Sequence, residues 1–171
     1  MGRSRGRLVA LLLSCFFVSL TGCGATEHPQ PTGAEEKEMG SAIYAEETLN
    51  VGTKTVIDSM SPAGRYAVVF EDDGETGYFY ALDTSKGDDP IVDARHIYNV
   101  DPVADKDIPS VVQIVWSTDG LKAALVINRY PHAVFDFEAK RGYCRTGVAQ
   151  PSKEWTRYDS RWDDSALELF R

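Results

Sequence analysis

RYAVVFEDDGETGYFYALD, residues 65–83, is the stretch from which the rest of the chain can be read. Residues 66–70 (YAVVF) are continuously apolar, as in a strand covered on both faces. Residues 77–83 (GYFYALD) return with three aromatics. The loop between them, Glu71-Asp72-Asp73-Gly74-Glu75-Thr76-Gly77, carries an Asp-Gly pair, a strong signal for a hairpin. Strands over 65–71 and 77–83 follow. The four carboxylates of this loop also invite a calcium reading, because hard cations take clustered carboxylates. The Asp-x-Asp-x-Asp-Gly frame and distal glutamate of an EF-hand are missing, so a solvated turn is expected.

A related unit recurs downstream. Ser61-x-x-Gly64-x-x-Ala67 returns as Ser117-x-x-Gly120-x-x-Ala123 at an offset of 56, and Phe79 matches Phe135 at the same offset. Each copy resembles the inner strands of a β-propeller blade. Propellers need about 4–8 four-stranded blades, so two units cannot close a ring. The expectation is an all-β fold: two pseudo-repeats forming antiparallel meanders, packed as a sandwich or roll. The alternative is two unrelated hairpins that share turn chemistry.

Period-2 patterning and turn residues place further strands at 50–58, 91–100, 111–117, 121–128, 132–138 and 143–146. In the 91–100 strand, Val92, Ala94, His96, Tyr98 and Val100 share one face, taken as the apolar one, and Asp93, Arg95 and Asn99 supply the other. Residues 123–127 are again continuously apolar. Near the end, Ser160-Arg161-Trp162-Asp163 has the Ser-x-x-Asp form of a helix start. Trp162, Ala166, Leu169 and Phe170 follow at helical spacing, which predicts a short C-terminal helix packed on a sheet.

The first residues serve as an address. Arg3, Arg5 and Arg7 precede a 13-residue apolar run, residues 8–20 (LVALLLSCFFVSL). At 1.5 Å per residue this spans about 20 Å as a helix, short of the roughly 30 Å hydrocarbon core, and fits a secretory signal. Leu20-Thr21-Gly22-Cys23 resembles the lipobox of bacterial lipoproteins, in which cleavage falls before a cysteine whose sulfur carries diacylglycerol. Several acyl chains, at about 0.8 kcal/mol per buried CH₂, give stable anchoring. Three segments are therefore expected: a signal peptide at 1–22, acylated Cys23 with a flexible tether at 23–41, and a β-rich domain at 42–171. Gly24 after the cysteine, in place of aspartate, resembles the class sorted to the outer membrane in diderm bacteria.

Charge and cysteines bound the function. The 171-residue chain carries 18 basic and 26 acidic side chains, a net charge of −8, and processing at Cys23 takes this to −11. No basic surplus exists to displace phosphate counterions, which excludes a nucleic-acid partner held that way. Of three cysteines, Cys15 leaves with the signal and Cys23 takes lipid, leaving Cys144 with no intramolecular partner. Cys144, His132 and Asp136 make a nominal nucleophile, base and orienting acid. His132 and Asp136 stand four apart in one predicted strand, about 13 Å by strand rise, too far for a hydrogen bond. His96 is expected to be a buried histidine with a backbone partner. No zinc spacing, nucleophile elbow, phosphate loop or dinucleotide fingerprint occurs, so no catalytic residue, metal or cofactor is expected.

Several stretches together resemble an uncharacterised bacterial family, the domain of unknown function numbered 2251. They are residues 69–81 (VFEDDGETGYFYA), 96–100 (HIYNV), 114–117 (IVWS), 132–138 (HAVFDFE) and 140–145 (KRGYCR). The resemblance covers about residues 45–171 and implies a single small bacterial domain, with no activity attached. The family pattern is associated largely with chains lacking a leader, so the lipobox is a departure that argues against a cytosolic role.

Aromatics and charges crowd residues 129–145, and Arg129, Tyr130, Arg141, Tyr143 and Arg145 are the candidate binding residues, since Tyr and Arg are favoured at hot spots. The competing reading makes them edge residues that cover a sheet rim. The expectation is a membrane-anchored, non-enzymatic lipoprotein that binds another protein at the cell envelope. One alternative is a periplasmic immunity or inhibitor protein whose acidity speeds capture of a basic toxin. Another is a hydrolase using Cys144.

Overall fold

The computed structural model describes residues 41–147, 155 and 161–171. The signal peptide, Cys23 and the tether up to residue 40 lie outside them, and so does Ser160. Nine strands run in order: β1 (Ser41–Leu49), β2 (Thr55–Met60), β3 (Tyr66–Asp72), β4 (Thr76–Asp83), β5 (Ile91–Asn99), β6 (Ser110–Ser117), β7 (Lys122–Ile127), β8 (Tyr130–Asp136) and β9 (Arg141–Cys144). The hairpin at 65–83 forms as the sequence implied, with Phe70 opposite Phe79 and Asp72 opposite Gly77.

Two antiparallel sheets result, ordered β2-β3-β4-β5 and β1-β6-β7-β8-β9. The meander β6–β9 repeats the strand order of β2–β5, and β1 adds to its β6 edge. The all-β sandwich of two antiparallel meanders is therefore observed. Its repeats touch: Phe79 and Phe135 stack across the core with centroids 5.0 Å apart, and Ser61 Oγ donates to the Gly120 carbonyl at 2.6 Å. Trp116, fully buried, donates its indole N–H to Ser59 Oγ at 3.0 Å.

The offset of 56 does not survive as a face-by-face equivalence. Val68 lies in the intersheet core, whereas Ala124, 56 residues on, lies in a second cluster on the outer face. The hairpins close differently: Ala67 pairs with Leu82, but Ala123 pairs with Phe135. Side chains alternate with a period of two, so this difference in closure inverts the faces.

The reading of β5 is corrected in the same way. Between two register shifts Asp93, Arg95 and Ile97 turn into the core, while Ala94 and His96 sit half-buried on the other face; Val92 and Tyr98, outside that stretch, meet the core as expected. Register shifts at Gly77/Tyr78 and Ala81/Leu82 of β4 are bulges that re-aim the strand. The inward Asp93 and Arg95 form an ion pair at 2.5 Å, with side chains 0% and 4% exposed. Burial pushes the Arg95 guanidinium down, and the Asp93 charge opposes this. Gly142 of β9 leaves room for the pair: a Cβ there would stand 2.5 Å from Arg95 Nε and 2.6 Å from Asp93 Oδ2.

Two elements differ from expectation at the ends of the domain. No strand is predicted over β1, whose residues are nearly all exposed apart from Leu49. The C-terminal helix is a 3₁₀ helix (Asp164–Phe170), and Asp163 caps it, accepting from Ser165 N at 2.9 Å. It packs Ala166 onto Ala124, Val134 and Tyr143, with Trp162, Leu169 and Phe170 around them. This explains why 123–127 is apolar on both sides: the core takes Ala123 and Leu125, and the helix side takes Ala124 and Val126.

At the end of the β3–β4 hairpin away from its turn, Arg65 Nε and Nη2 grip Asp83 at 3.2 and 2.7 Å. This contact holds the Asp83 carboxyl well below the usual range. A depressed carboxyl contributes stability above its unfolded value, near pH 4, and the contribution is lost as pH falls toward the folded value. Acid denaturation of the Asp83→Asn variant should therefore show a shallower loss of stability below about pH 4 than the parent chain. Parallel acid limbs, followed by circular dichroism, would remove Asp83 from the account.

Candidate functional site

Arg145 follows β9 directly, and its N–H donates to the His132 carbonyl at 3.1 Å, which extends the β8–β9 pairing by one step. That step sets its side chain against two aromatic rings. The guanidinium carbon lies 4.3 Å from the Tyr130 ring centre and 4.0 Å from that of Trp162. Arg145 Nε donates to the Pro131 carbonyl at 2.7 Å, and Nη2 stands 3.7 Å from Asp164 Oδ1. Asp164 in turn accepts the Trp162 indole N–H at 2.7 Å. The rings and the carbonyl fix the arginine while 27% of its side chain stays open to solvent. Cation–π contacts of this kind contribute about 0.5–2 kcal/mol each.

His132 adjoins this stack, its ring edge-on to Tyr130 at 5.5 Å. Burial, and then the Arg145 charge, hold its pKa below the usual histidine value. At neutral pH it is an uncharged neighbour of the arginine.

The five candidate residues are distributed unevenly. Tyr130 and Arg145 come together, and Tyr130 is 51% exposed. Arg129 is exposed in the β7–β8 turn, where Asn128 and Arg129 both have positive φ, 51° and 66°, as a two-residue hairpin turn demands. Arg141 lies over the Tyr143 ring at 4.5 Å, but Tyr143 itself is 8% exposed and packs under the C-terminal helix. Trp162 is the member that sequence reasoning missed. Its helical spacing suggested only packing, and nothing local to residue 162 announces a partner at residue 145.

Cys144, His132 and Asp136 are not brought together. Cys144 pairs with Ala133 and shares its core face, so His132 and Asp136, alternating with Ala133 and Phe135, face the other way. The Cys144 thiol donates to the His96 carbonyl at 3.2 Å, and Thr146 Oγ1 donates to the same carbonyl at 2.6 Å. His96 uses its own Nε2 with Asn99 Oδ1 at 2.9 Å, so its side-chain partner is a side chain and not backbone.

The acidic loop is only partly solvated. Asp72 is 1% exposed and accepts from Gly52 N at 2.8 Å, Gly74 N at 2.9 Å and Tyr98 Oη at 2.8 Å. Tyr98 reaches it by lying across Gly77, where a Cβ would stand 2.7 Å from the ring. Asp73, outside, accepts from Glu75 N and Thr76 N at 2.8 and 2.7 Å, and these bonds lower its pKa. Among the described residues, no group of three or more His, Cys, Asp or Glu is placed to hold a metal ion.

An antiparallel β-sandwich of two four-stranded meanders, extended by one edge strand and carrying an arginine stacked on two aromatics, defines the class. The chain belongs to the family described as "Uncharacterized protein conserved in bacteria (DUF2251)", which matches residues 49–171. An uncharacterised protein of Haemophilus influenzae is 45% identical over 118 residues, covering 67% of this chain and 73% of the relative. No solved structure matches.

Proposed function

We propose that this chain is a lipid-anchored, non-enzymatic protein-binding module of the bacterial envelope, with Arg145 and its two rings as the anchor point. The observation that carries the reading is the stacked arginine itself. Arg, Tyr and Trp are the residues most enriched at hot spots, and here they are held in place before any partner arrives. Preorganisation of this kind cuts the ordering cost of association. The guanidinium keeps N–H groups for a partner carboxylate or carbonyl after Nε is spent on Pro131. Leu20-Thr21-Gly22-Cys23 supplies the anchor, and 17 residues separate Cys23 from β1.

The test uses intact cells. A photo-crosslinking residue replacing Arg129, in the adjoining exposed turn, should yield one discrete adduct. Arg145→Ala should remove that adduct without reducing the amount of folded chain. Cys23→Ala should end the chain's labelling with a fatty acid and leave the apolar run at residues 8–20 uncleaved. An adduct that persists in Arg145→Ala would sink the anchor assignment. A Cys23→Ala chain that still takes up the fatty-acid label would sink the lipid attachment at Cys23.

A further inference from the structure

We propose that the outer face of the β2–β5 sheet docks one amphipathic, cationic helix of a partner protein. The surface lies on the other sheet from the arginine stack and shares no residue with it. Strand pairing lays it out in three rows. Met60, Ala67, Leu82 and Ile91 align as a wholly apolar row. Asp58, Val69, Tyr80 and Ala94 form the next, and Val56, Glu71, Tyr78 and His96 the last. Along β2, β3 and β4 these side chains alternate with the core residues Ile57, Val68, Phe70 and Phe79, so they point away from the sandwich interior.

Nine of these twelve positions are apolar or aromatic, and none of the nine joins either packed cluster of the domain. Val56 is 61% exposed, Met60 48% and Ile91 51%. The sister sheet is different: on its outer face Ala124, Val134 and Tyr143 lie under the C-terminal 3₁₀ helix. A contiguous apolar surface that the domain's own described elements leave open is the usual mark of an interaction site.

Size and charge select the occupant. Strands about 4.8 Å apart and row steps of about 6.8 Å make a patch roughly 14 Å square. One helix, about 10 Å across, covers that length with about nine residues. The cover on the sister sheet is a helix of seven. The acids Asp58 and Glu71 lie within the rows, and none of the twelve residues is Lys or Arg. Lys54 and Arg65 precede β2 and β3, outside the rows, and Arg65 is engaged by Asp83. A helix with Lys or Arg beside its apolar stripe answers both features. A second copy of this chain does not, because two such faces pressed together would set four carboxylates against one another with no cation between them.

The probe is a synthetic amphipathic helix of about 18 residues built from Leu and Lys, long enough to hold helical structure. Its counterpart replaces every Lys with Glu. Each is titrated into the methyl-labelled full chain. The Met60 and Ile91 methyl resonances should shift saturably with the Leu–Lys peptide, while Ile108, exposed elsewhere, stays still. The Leu–Glu peptide should bind at least about tenfold more weakly. Val56→Lys, at an exposed position, should leave the fold intact and weaken the Leu–Lys peptide about tenfold. Before any peptide is added, a soluble paramagnetic reagent should broaden the Met60 and Ile91 methyls. Protection in dilute solution would mean that the chain's own residues cover the face, and protection that grows with concentration would mean that a second copy does. Either result overturns the proposal. So do equal binding of the two peptides, a shift of Ile108 as large as that of Met60, and a Val56→Lys chain that binds as the parent does. Each of these outcomes leaves the crosslinking test at Arg129 untouched.

Discussion

Arg95→Ala should cost about 3–5 kcal/mol of folding stability, because it takes the Arg95 charge away from a carboxylate buried between the sheets. Both side chains are almost wholly out of water, 0% for Asp93 and 4% for Arg95, so solvent cannot take over the role of the lost partner. A domain of this size commonly holds about 5–15 kcal/mol in total, so the change removes a large share of it. Chemical denaturation of the variant is the measurement. The pair Asp93→Leu with Arg95→Met, which removes both charges and fills the volume, should recover much of the loss, since buried ion pairs contribute little over well-packed apolar residues. Recovery that fails entirely would mean that Asp93 serves a purpose beyond its pairing with Arg95.

Phe135→Ala should cost a similar amount, about 3–5 kcal/mol, for a different reason. Phe135 is fully buried and touches Phe79, Phe137 and Trp155 with centroids at 5.0, 6.3 and 5.9 Å. Removing its ring opens a cavity at the contact between the two meanders and breaks the stack that joins them. Phe135→Leu keeps most of the volume and should lose much less. If alanine and leucine prove equally mild, the intersheet stack is not where the sandwich draws its stability.

How much of this was legible beforehand varied with the range over which the forces act. The β3–β4 hairpin and the alternation in β6 rest on neighbours in sequence, and both appear where the residues implied. Strand β1 escaped notice because an edge strand with one buried residue carries little hydrophobic alternation. The middle of β5, residues 93–97, faces opposite to the expectation because a register shift depends on the partner strand, which sequence spacing alone does not reveal. The start of the C-terminal helix was misplaced because Ser160 and Asp163 are both good caps, and the geometry that selects Asp163 is local backbone shape.

The candidate site divides in the same way. Tyr130 and Arg145 could be picked out by residue type, but their contact comes from the β8–β9 ladder and from Trp162, 17 residues beyond Arg145. Tyr143 looked equally suitable for a surface and went under the C-terminal helix instead, because its alternation with Cys144 places it on the outer face of β9. The buried Asp72 was unreadable as such, since its donors lie 20 and 26 residues away as well as next door.

The Cys144 thiol, 1% exposed and donating to the carbonyl of His96, spans the line along which β9 meets β5. A reagent that alkylates thiols can reach it only while that line is parted. The native chain thus carries its own stopwatch: the rate at which Cys144 is consumed, at fixed reagent, counts how often the β5–β9 edge comes undone. In the Arg95→Ala chain, whose altered pair sits on the same line, the stopwatch should run faster.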